Sequence, residues 1–183
     1  HFLTGSGKSF KAKELSKLTN SDIISSDEYR ERFCGDASDQ SKNQEIFQLI
    51  YKDMKSKLSN GSNVIFDATN LSIKDRKQAV EIGKKYASAV IAYVMTTPFT
   101  ICHKQNFDRE RQVPEFVLEK QLHKFQIPFK EEGFDIIYLD KWFGLTFPNK
   151  GNLDVIQNMM IGFDQKNPHH KFGISVFGVS GFG

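Results

Sequence analysis

Five residues near the start of the chain, Gly5-Ser6-Gly7-Lys8-Ser9, are of the types that hold the phosphates of a nucleotide. In a phosphate-binding loop (P-loop), backbone N–H groups and a lysine hold the phosphates, and a serine hydroxyl ligates Mg²⁺. A helix that starts at this loop also directs the positive end of its dipole at the phosphates. The complete pattern has a further glycine five positions before Gly7, where this chain has Phe2. The segment therefore predicts nucleotide binding, with a chance turn at the start of a helix as the alternative.

A second group, Asp27 and Arg30, follows the apolar pair Ile23 and Ile24. A carboxylate placed directly after a strand could accept the proton of a hydroxyl group during phosphoryl transfer. Arg30 lies three residues further on, where its guanidinium could hold a substrate phosphate. The alternative is that Asp27 only caps the N-terminus of the following helix. The residues of this segment favour neither role over the other.

A third group, Asp67-Ala68-Thr69-Asn70, follows the apolar run at residues 64–66. An acidic residue in this position could hold Mg²⁺ through water or could orient a substrate. Aspartate and asparagine also favour turns, because their side chains bond to the nearby backbone. We expect a functional role for Asp67, with a simple turn as the alternative.

A fourth group, Lys104, Arg109 and Arg111, lies before Val113 and Pro114. Cationic side chains on a short mobile helix can close over phosphates and neutralise charge in the transition state. The alternative is a solvated basic face, as most runs of charge are. Acidic residues within the run could pair with the arginines, so this group is weak by itself.

Short apolar runs alternate with amphipathic stretches along the chain. The apolar runs predict strands over residues 22–25, 64–66, 89–95 and 134–139. Apolar residues at helical spacing predict helices over residues 8–18, 44–58, 72–86, 100–109 and 114–125. This alternation indicates an α/β fold with a parallel sheet and helices on both faces. The P-loop residues at the start of the first helix make this a P-loop NTPase/kinase-like sheet in our prediction. Ligands bind at the C-terminal ends of the strands in such a sheet, so we expect the four groups at one edge.

The composition narrows the class of protein. A chain of 183 residues corresponds to one ordinary domain, and its net charge of +3 permits nucleic-acid binding without indicating it. Cys34 and Cys102 have no paired spacing, which argues against a disulfide scaffold or a zinc site and favours the cytoplasm. No apolar run is long enough to span a membrane, so we expect no membrane partner. No feature predicts the oligomeric state.

The composition of the sequence changes after residue 140. We predict a P-loop domain over residues 1–140 and a linker, a helix and an atypical tail over residues 141–183. The helix is expected over residues 152–163. Residues 173–183 alternate apolar side chains with glycine and serine, which resembles a strand followed by a glycine-rich turn. We predict a frayed or non-native tail, with an edge strand of the sheet as the alternative.

Taken in order, the four groups resemble the kinase domain of bacteriophage-type polynucleotide 5′-hydroxyl kinases over about residues 3–139. Gly-Ser-Gly-Lys-Ser is similar to the end of that family's P-loop, and Ser-Asp-Glu-Tyr-Arg to its segment with the general base. The resemblance implies that Asp27 is the general base and that Arg30 holds a substrate phosphate. Phe-Asp-Ala-Thr-Asn-Leu resembles the third-strand motif. This match implies an acceptor-side or metal-side role for Asp67 and a substrate-binding role for Asn70.

The basic segment before Val113 and Pro114 resembles the lid of the same family. The resemblance implies that Arg109 clamps the phosphates, with Arg111 as the competing choice. Residues 163–170 are similar to the opening of an HD-type phosphohydrolase domain, which follows such kinases in some bacterial two-domain proteins. The chain is then expected to be the N-terminal module of a nucleic-acid repair protein.

Residues and resemblance together predict a kinase that uses ATP and Mg²⁺ to phosphorylate the 5′-OH end of a polynucleotide. Lys8 and the amides of Gly5, Ser6 and Gly7 would hold the phosphates, and Ser9 would ligate Mg²⁺. One alternative is a P-loop kinase of a small molecule or a protein, because a fold does not fix the acceptor. Another is a nucleotide-binding regulatory module without catalysis.

Overall fold

The structure, a computed structural model, describes residues 6–95, 99–108, 112–139 and 173–179. Within these ranges the helices are α1 (Lys8–Thr19), α2 (Ser26–Cys34), α3 (Asn43–Ser59), α4 (Ile73–Tyr86), α5 (Phe99–Phe107), α6 (Glu115–Lys124) and a 3₁₀ helix (Lys130–Glu132). The strands are β1 (Ser21–Ser25), β2 (Asn63–Asp67), β3 (Ala89–Met95), β4 (Ile136–Leu139) and β5 (Gly173–Val179). Each predicted helix and strand up to residue 139 is confirmed, with ends shifted by one or two residues.

The five strands form one sheet in the order β1-β2-β5-β3-β4. β1 runs parallel to β2, and β3 runs parallel to β4. β5 lies between these two pairs and runs antiparallel to both of its neighbours. The predicted α/β class with parallel strand pairs is confirmed, and β5 is an antiparallel addition to the sheet.

Helices cover both faces of the sheet, as alternate residues of β2 show. Ile65 points to the face that holds Ala12 of α1. Val64 and Phe66 belong to the opposite core, with Ile50 of α3. Successive side chains of a strand point to opposite faces, so a run that is apolar throughout must be covered twice.

α4 starts at a capping box and packs very closely on β3. The Ser72 hydroxyl accepts a hydrogen bond from the Asp75 amide, and the Asp75 carboxylate accepts one from the Ser72 amide. Further along the helix, a Cβ atom on Gly83 would come within 2.8 Å of a Val90 methyl group. Glycine at position 83 therefore permits the close approach, and the capping box fixes where the helix begins.

The strand in the C-terminal segment is present, but the frayed tail and the edge position are both wrong for residues 173–179. Residues 173–179 are neither frayed nor an edge strand, because β5 pairs with β2 on one side and with β3 on the other. The sequence of β5, rich in β-branched and aromatic residues, suits a strand. Its central place is explained by the backbone N–H and C=O groups of β2 and β3, which need partners on their facing edges.

Several sequence predictions concern residues outside the described ranges. These are the linker at residues 141–150, the helix at residues 152–163 and the HD-like segment at residues 163–170. The division into residues 1–140 and 141–183 stays a prediction. In the part of the chain that the structure describes, no helix combines the length and apolar character required to cross a bilayer.

Candidate active site

The N-terminus of α1 carries the predicted phosphate-binding residues. Gly7 takes the N-cap position with a φ of 81°, a left-handed conformation that glycine adopts without strain. Gly7 has no side chain that could cap the helix, and no described side chain supplies a cap hydrogen bond in its place. Ser6 is buried directly before Gly7, and Gly5 lies outside the described residues. The helix start therefore presents backbone donors at the position where the sequence predicts a phosphate site.

Lys8 and Ser9 both contact the carboxylate of Asp67, the last residue of β2. Lys8 Nζ forms an ion pair with Asp67 Oδ1. Ser9 Oγ donates a hydrogen bond to Asp67 Oδ2 over 2.8 Å. The Asp67 side chain is only 3% exposed, and that of Lys8 is 13% exposed. Residues from the first and third predicted groups thus meet in one cluster around the buried Asp67 carboxylate.

This cluster fits a magnesium ion that is bound together with phosphate. A hydroxyl and a carboxylate are hard oxygen donors, and Mg²⁺ in nucleotide sites takes one or two such protein ligands while phosphates and water supply the rest. Among the described residues, no group of three or more histidine, cysteine, aspartate or glutamate side chains could hold a metal by itself. Ser9 and Asp67 therefore suit a shared site with a nucleotide better than a separate metal cage.

The second predicted group lies beside this cluster, because the last residue of β1, Ser25, pairs in register with Asp67. Ser25 is the N-cap of α2, and its hydroxyl accepts a bond from the Glu28 amide. Asp27 falls in the first turn instead, so the alternative that Asp27 caps the helix is wrong. Its side chain is 61% exposed at the carboxyl-terminal edge of the sheet.

Arg30 is held rigidly next to Asp27. Arg30 Nη1 donates to Asp27 Oδ1 over 2.7 Å, and Nε and Nη2 donate to the side-chain oxygen of Asn43 over 3.1 and 3.0 Å. The Arg30 side chain is only 4% exposed. The guanidinium is therefore preorganised beside an exposed carboxylate, as a phosphate-binding arginine near a base would need to be.

The loop after β2 is stabilised by a buried arginine that sequence reasoning missed. Arg76 donates to the backbone carbonyls of Asn70 and Leu71 and forms two short bonds to Glu132 of 2.5 and 2.6 Å. It is completely buried. The sequence does carry a signal for the burial of Arg76, since this residue lies at helical spacing before the buried residues Ala79 and Val80.

Asn70 is the one buried side chain in the described part of the chain that has an unsatisfied polar atom, its Nδ2. Its backbone is left-handed, with a φ of 42°. Asn70 and Arg30 line the same groove, which has a volume of about 810 Å³. A buried donor without a partner is rare in folded proteins, and a ligand oxygen in the groove would satisfy it.

The pKa values of two groups that line the groove are shifted. Burial, with the nearby charge of Asp75, raises the pKa of Tyr51 to about 12, so the phenol stays neutral at physiological pH. Burial raises the pKa of Asp75, but hydrogen bonds from Lys124 and Ser72 lower it by more. The net pKa of Asp75 therefore lies below its ordinary value.

Only part of the fourth predicted group can be placed. Lys104 lies in the last turn of α5 and is exposed. Arg109 and Arg111 are outside the described residues. The ends of the segment are tied together, because the Asn106 side chain donates to the Val113 carbonyl and accepts from its amide, each over 2.9 Å. This clamp joins the end of α5 to the segment that leads into α6.

Comparison with known proteins agrees with the α/β architecture. The family model of an AAA domain matches residues 3–128, well over half of the chain. The L-seryl-tRNA(Sec) kinase of Methanococcus maripaludis is 25% identical over 134 residues, which cover 70% of this chain and 50% of that kinase. The chain therefore spans about half the length of this relative.

Proposed function

The chain belongs to the AAA domain family, and from this premise we propose that it is a kinase that transfers the γ-phosphate of ATP to a 5′-OH end of a polynucleotide. Its domain is a P-loop kinase-like, nucleotide-binding one. One observation carries the proposal. The carboxyl ends of the paired strands β1 and β2 bring the cluster of Lys8, Ser9 and Asp67 next to Asp27 and Arg30.

On the nucleotide side, Lys8 and the amides at the start of α1 bind the β- and γ-phosphates of ATP. Ser9 and Asp67 are the residues that would hold Mg²⁺, which neutralises phosphate charge when bound. Lys8 exchanges its contact with Asp67 for contacts with phosphate oxygens as ATP enters. Two protein oxygens at 2.8 Å from each other support this assignment.

On the acceptor side, Asp27 takes the proton of the 5′-hydroxyl group. As that proton moves to the carboxylate, the hydroxyl oxygen bonds to the γ-phosphorus, and the bond to the bridging oxygen of ADP breaks. Arg30 binds the first phosphate of the acceptor and Asn70 donates Nδ2 to an acceptor oxygen. Arg109, with Arg111 as the competing choice, neutralises the charge on the migrating phosphoryl group.

A polynucleotide acceptor is supported by two facts. The relative from Methanococcus maripaludis is by its name a kinase of L-seryl-tRNA(Sec), so its acceptor is joined to RNA. The groove lined by Arg30 and Asn70 is large and carries several lysines and amide side chains. We place the activity in the cytoplasm, which is favoured by Cys34 and Cys102, because neither forms a disulfide with a described residue.

The test is transfer of labelled γ-phosphate from ATP, with Mg²⁺, to 5′-OH oligonucleotides of DNA and RNA. Nucleosides, serine and a mixture of small alcohols serve as competing acceptors in parallel reactions. Labelled oligonucleotide is the expected product. Label on a small molecule alone would make the chain a metabolite kinase, and ATP binding without transfer to any acceptor would indicate a regulatory module.

A further inference from the structure

We infer that the groove beside Arg30 binds the acceptor as a single strand and contacts at least two phosphates beyond the one next to the reacting end. This inference rests on the proposed function and deepens it, because it states what length and form of acceptor the same site selects. It follows from the shape of the groove, its charge and its amide groups.

Three helices build the groove, and each presents one face to it. α3 contributes residues at helical spacing such as Gln44, Phe47 and Gln48, and α4 contributes Lys74 from its first turn. α6 contributes residues that include Lys120. A volume of about 810 Å³ lies in the upper part of the range for ligand pockets, roughly 300–1,000 Å³. The groove can therefore hold more than the terminal nucleotide.

The walls of the groove differ in charge. None of the α3 residues that line it is charged. The wall formed by α4 and α6 carries Lys74, Lys120 and Lys124. Lys124 is neutralised by Asp75 at 2.8 Å. Lys74 and Lys120 are exposed, and neither forms an ion pair with a side chain that the structure describes.

Two unpaired ammonium groups on different helices suit a chain of phosphates. A nucleic-acid strand carries one negative charge for each nucleotide, and lysines bind these charges without regard to sequence. Arg30 would hold the first phosphate, and Lys74 and Lys120 would each hold a later one. A mononucleoside 3′-phosphate can engage Arg30 alone, so it should be a poor acceptor.

The opposite wall suits unpaired bases. The amide groups of Gln44 and Gln48 can each donate and accept hydrogen bonds, as base edges do. Phe116 of α6, on the lysine-bearing wall of the same groove, is 68% exposed and offers a ring on which a base can stack. In a duplex the Watson–Crick edges are already paired and the bases are stacked. The groove therefore favours a single-stranded end.

The experiment measures KM and kcat for acceptors of one to six nucleotides with a 5′-OH end, over a series of salt concentrations. The variants are Lys74→Gln, Lys120→Gln and the double variant. Lys77→Gln is the matched control, because Lys77 lies on the same helix but does not line the groove and is 72% exposed. The dissociation constant for ATP is measured for every variant.

For the wild type, KM should fall with each added nucleotide until three phosphates are present, and a blunt duplex should have a higher KM than the single strand. Each lysine variant should reduce the slope of log KM against log salt by about 0.7, the value for one phosphate contact on a single strand. The double variant should lose about twice that and most of the length dependence. In all variants kcat and ATP binding stay near the wild type.

Equal KM values for one and six nucleotides, or salt slopes unchanged in the double variant, would overturn the inference while leaving the kinase intact. An equal KM for blunt duplex and single strand would overturn its single-strand part. Failure of the proposed function looks different, since no oligonucleotide of any length would then become labelled.

Discussion

The ends of β1 and β2 lie side by side at one edge of the sheet, yet their acidic residues have very different surroundings. Asp67, at the end of β2, is 3% exposed, and both of its oxygens are bonded, one to Lys8 and one to Ser9. Asp27, after β1, is 61% exposed, and its Oδ1 is bonded to Arg30. Two carboxylates at neighbouring strand ends of a parallel pair therefore differ in what can reach them.

This difference separates two tasks. A buried carboxylate with both oxygens bonded can orient a lysine and a metal-binding hydroxyl, but an incoming alcohol cannot reach it. An exposed carboxylate beside a rigid guanidinium can meet an alcohol and take its proton, because geometry has to come before proton affinity in a general base. We therefore propose that Asp67 acts on the nucleotide side and Asp27 on the acceptor side.

The largest expected effect tests this assignment directly. Asp27→Asn should lower kcat by roughly 10²–10⁴-fold, the contribution of a general base, with the dissociation constant for ATP and Mg²⁺ unchanged. Asp67→Asn should lower kcat by about 10²–10³-fold and also weaken ATP binding, because Lys8 and Ser9 lose the group that orients them. Labelled-phosphate transfer and calorimetric titration with ATP measure the two quantities.

Glu28→Gln is the control for Asp27→Asn, since Glu28 is the next residue, is exposed and has no assigned role. It should keep wild-type kcat. The free energy of unfolding of Asp27→Asn should also stay within about 1 kcal/mol of the wild type, because Asp27 is exposed and the asparagine oxygen can still accept the bond from Arg30. If Asp27→Asn weakens ATP binding as much as Asp67→Asn does, the two carboxylates share one task and the comparison fails.

The second prediction concerns how the loop at the end of β2 is anchored. The loop after β2 depends on Arg76, which bonds to its carbonyls and to buried Glu132. Arg76→Met should destabilise the protein by roughly 3–5 kcal/mol, because it leaves the buried charge of Glu132 without its cationic partner. Urea unfolding followed by circular dichroism measures the loss.

Two further variants test whether the loss of stability comes from the unpaired charge of Glu132 or from the loss of any cation on α4. Lys77→Met changes a 72% exposed cation on the same helix and should leave the unfolding midpoint nearly unchanged. Arg76→Met combined with Glu132→Met removes both charges and should recover part of the stability, since no lone buried charge remains. If Arg76→Met unfolds at the wild-type urea concentration, the loop after β2 does not depend on this arginine.

The end of β2 also shows how far the sequence could predict the site. The apolar run before Asp67 and the Gly-Lys-Ser segment each have a strong local pattern, and a parallel sheet brings such strand ends to one edge. Their meeting was therefore predictable. The pairing of Arg76 with Glu132 joins residues 56 positions apart and depends on how the 3₁₀ helix folds back onto α4, which no local pattern specifies.

The C-terminal segment illustrates the opposite case. Its composition allowed a strand, but glycine and serine made a frayed tail the favoured prediction. Its place between β2 and β3 is decided by backbone groups on those two strands that need partners, and these groups are the same for every sequence. Side-chain patterns therefore carry little information about the position of a strand in the strand order of a sheet.

The smallest predicted effect compares the helices that follow the two strand ends. α2 begins with a single cap bond of 3.4 Å to Ser25, whereas α4 begins with the full capping box of Ser72 and Asp75. Ser72→Ala should therefore destabilise the protein by about 1 kcal/mol, and Ser25→Ala by less. Thermal and urea unfolding at neutral pH measure both changes.

The contribution of Asp75 should also depend on pH. Burial opposes its charge, but bonds from Lys124 and Ser72 outweigh that effect and hold the folded pKa below the ordinary 3.8. A carboxyl with a depressed folded pKa stabilises the fold above its unfolded pKa, and the stabilisation is lost as the pH falls through the folded value. The stability difference between wild type and Asp75→Asn should thus be full at pH 7 and shrink below about pH 4.

Glu81→Gln, an exposed change on the same helix, should show a much smaller pH dependence. A constant difference between Asp75→Asn and the wild type from pH 7 to pH 3 would mean that the charge of Asp75 does not stabilise the start of α4.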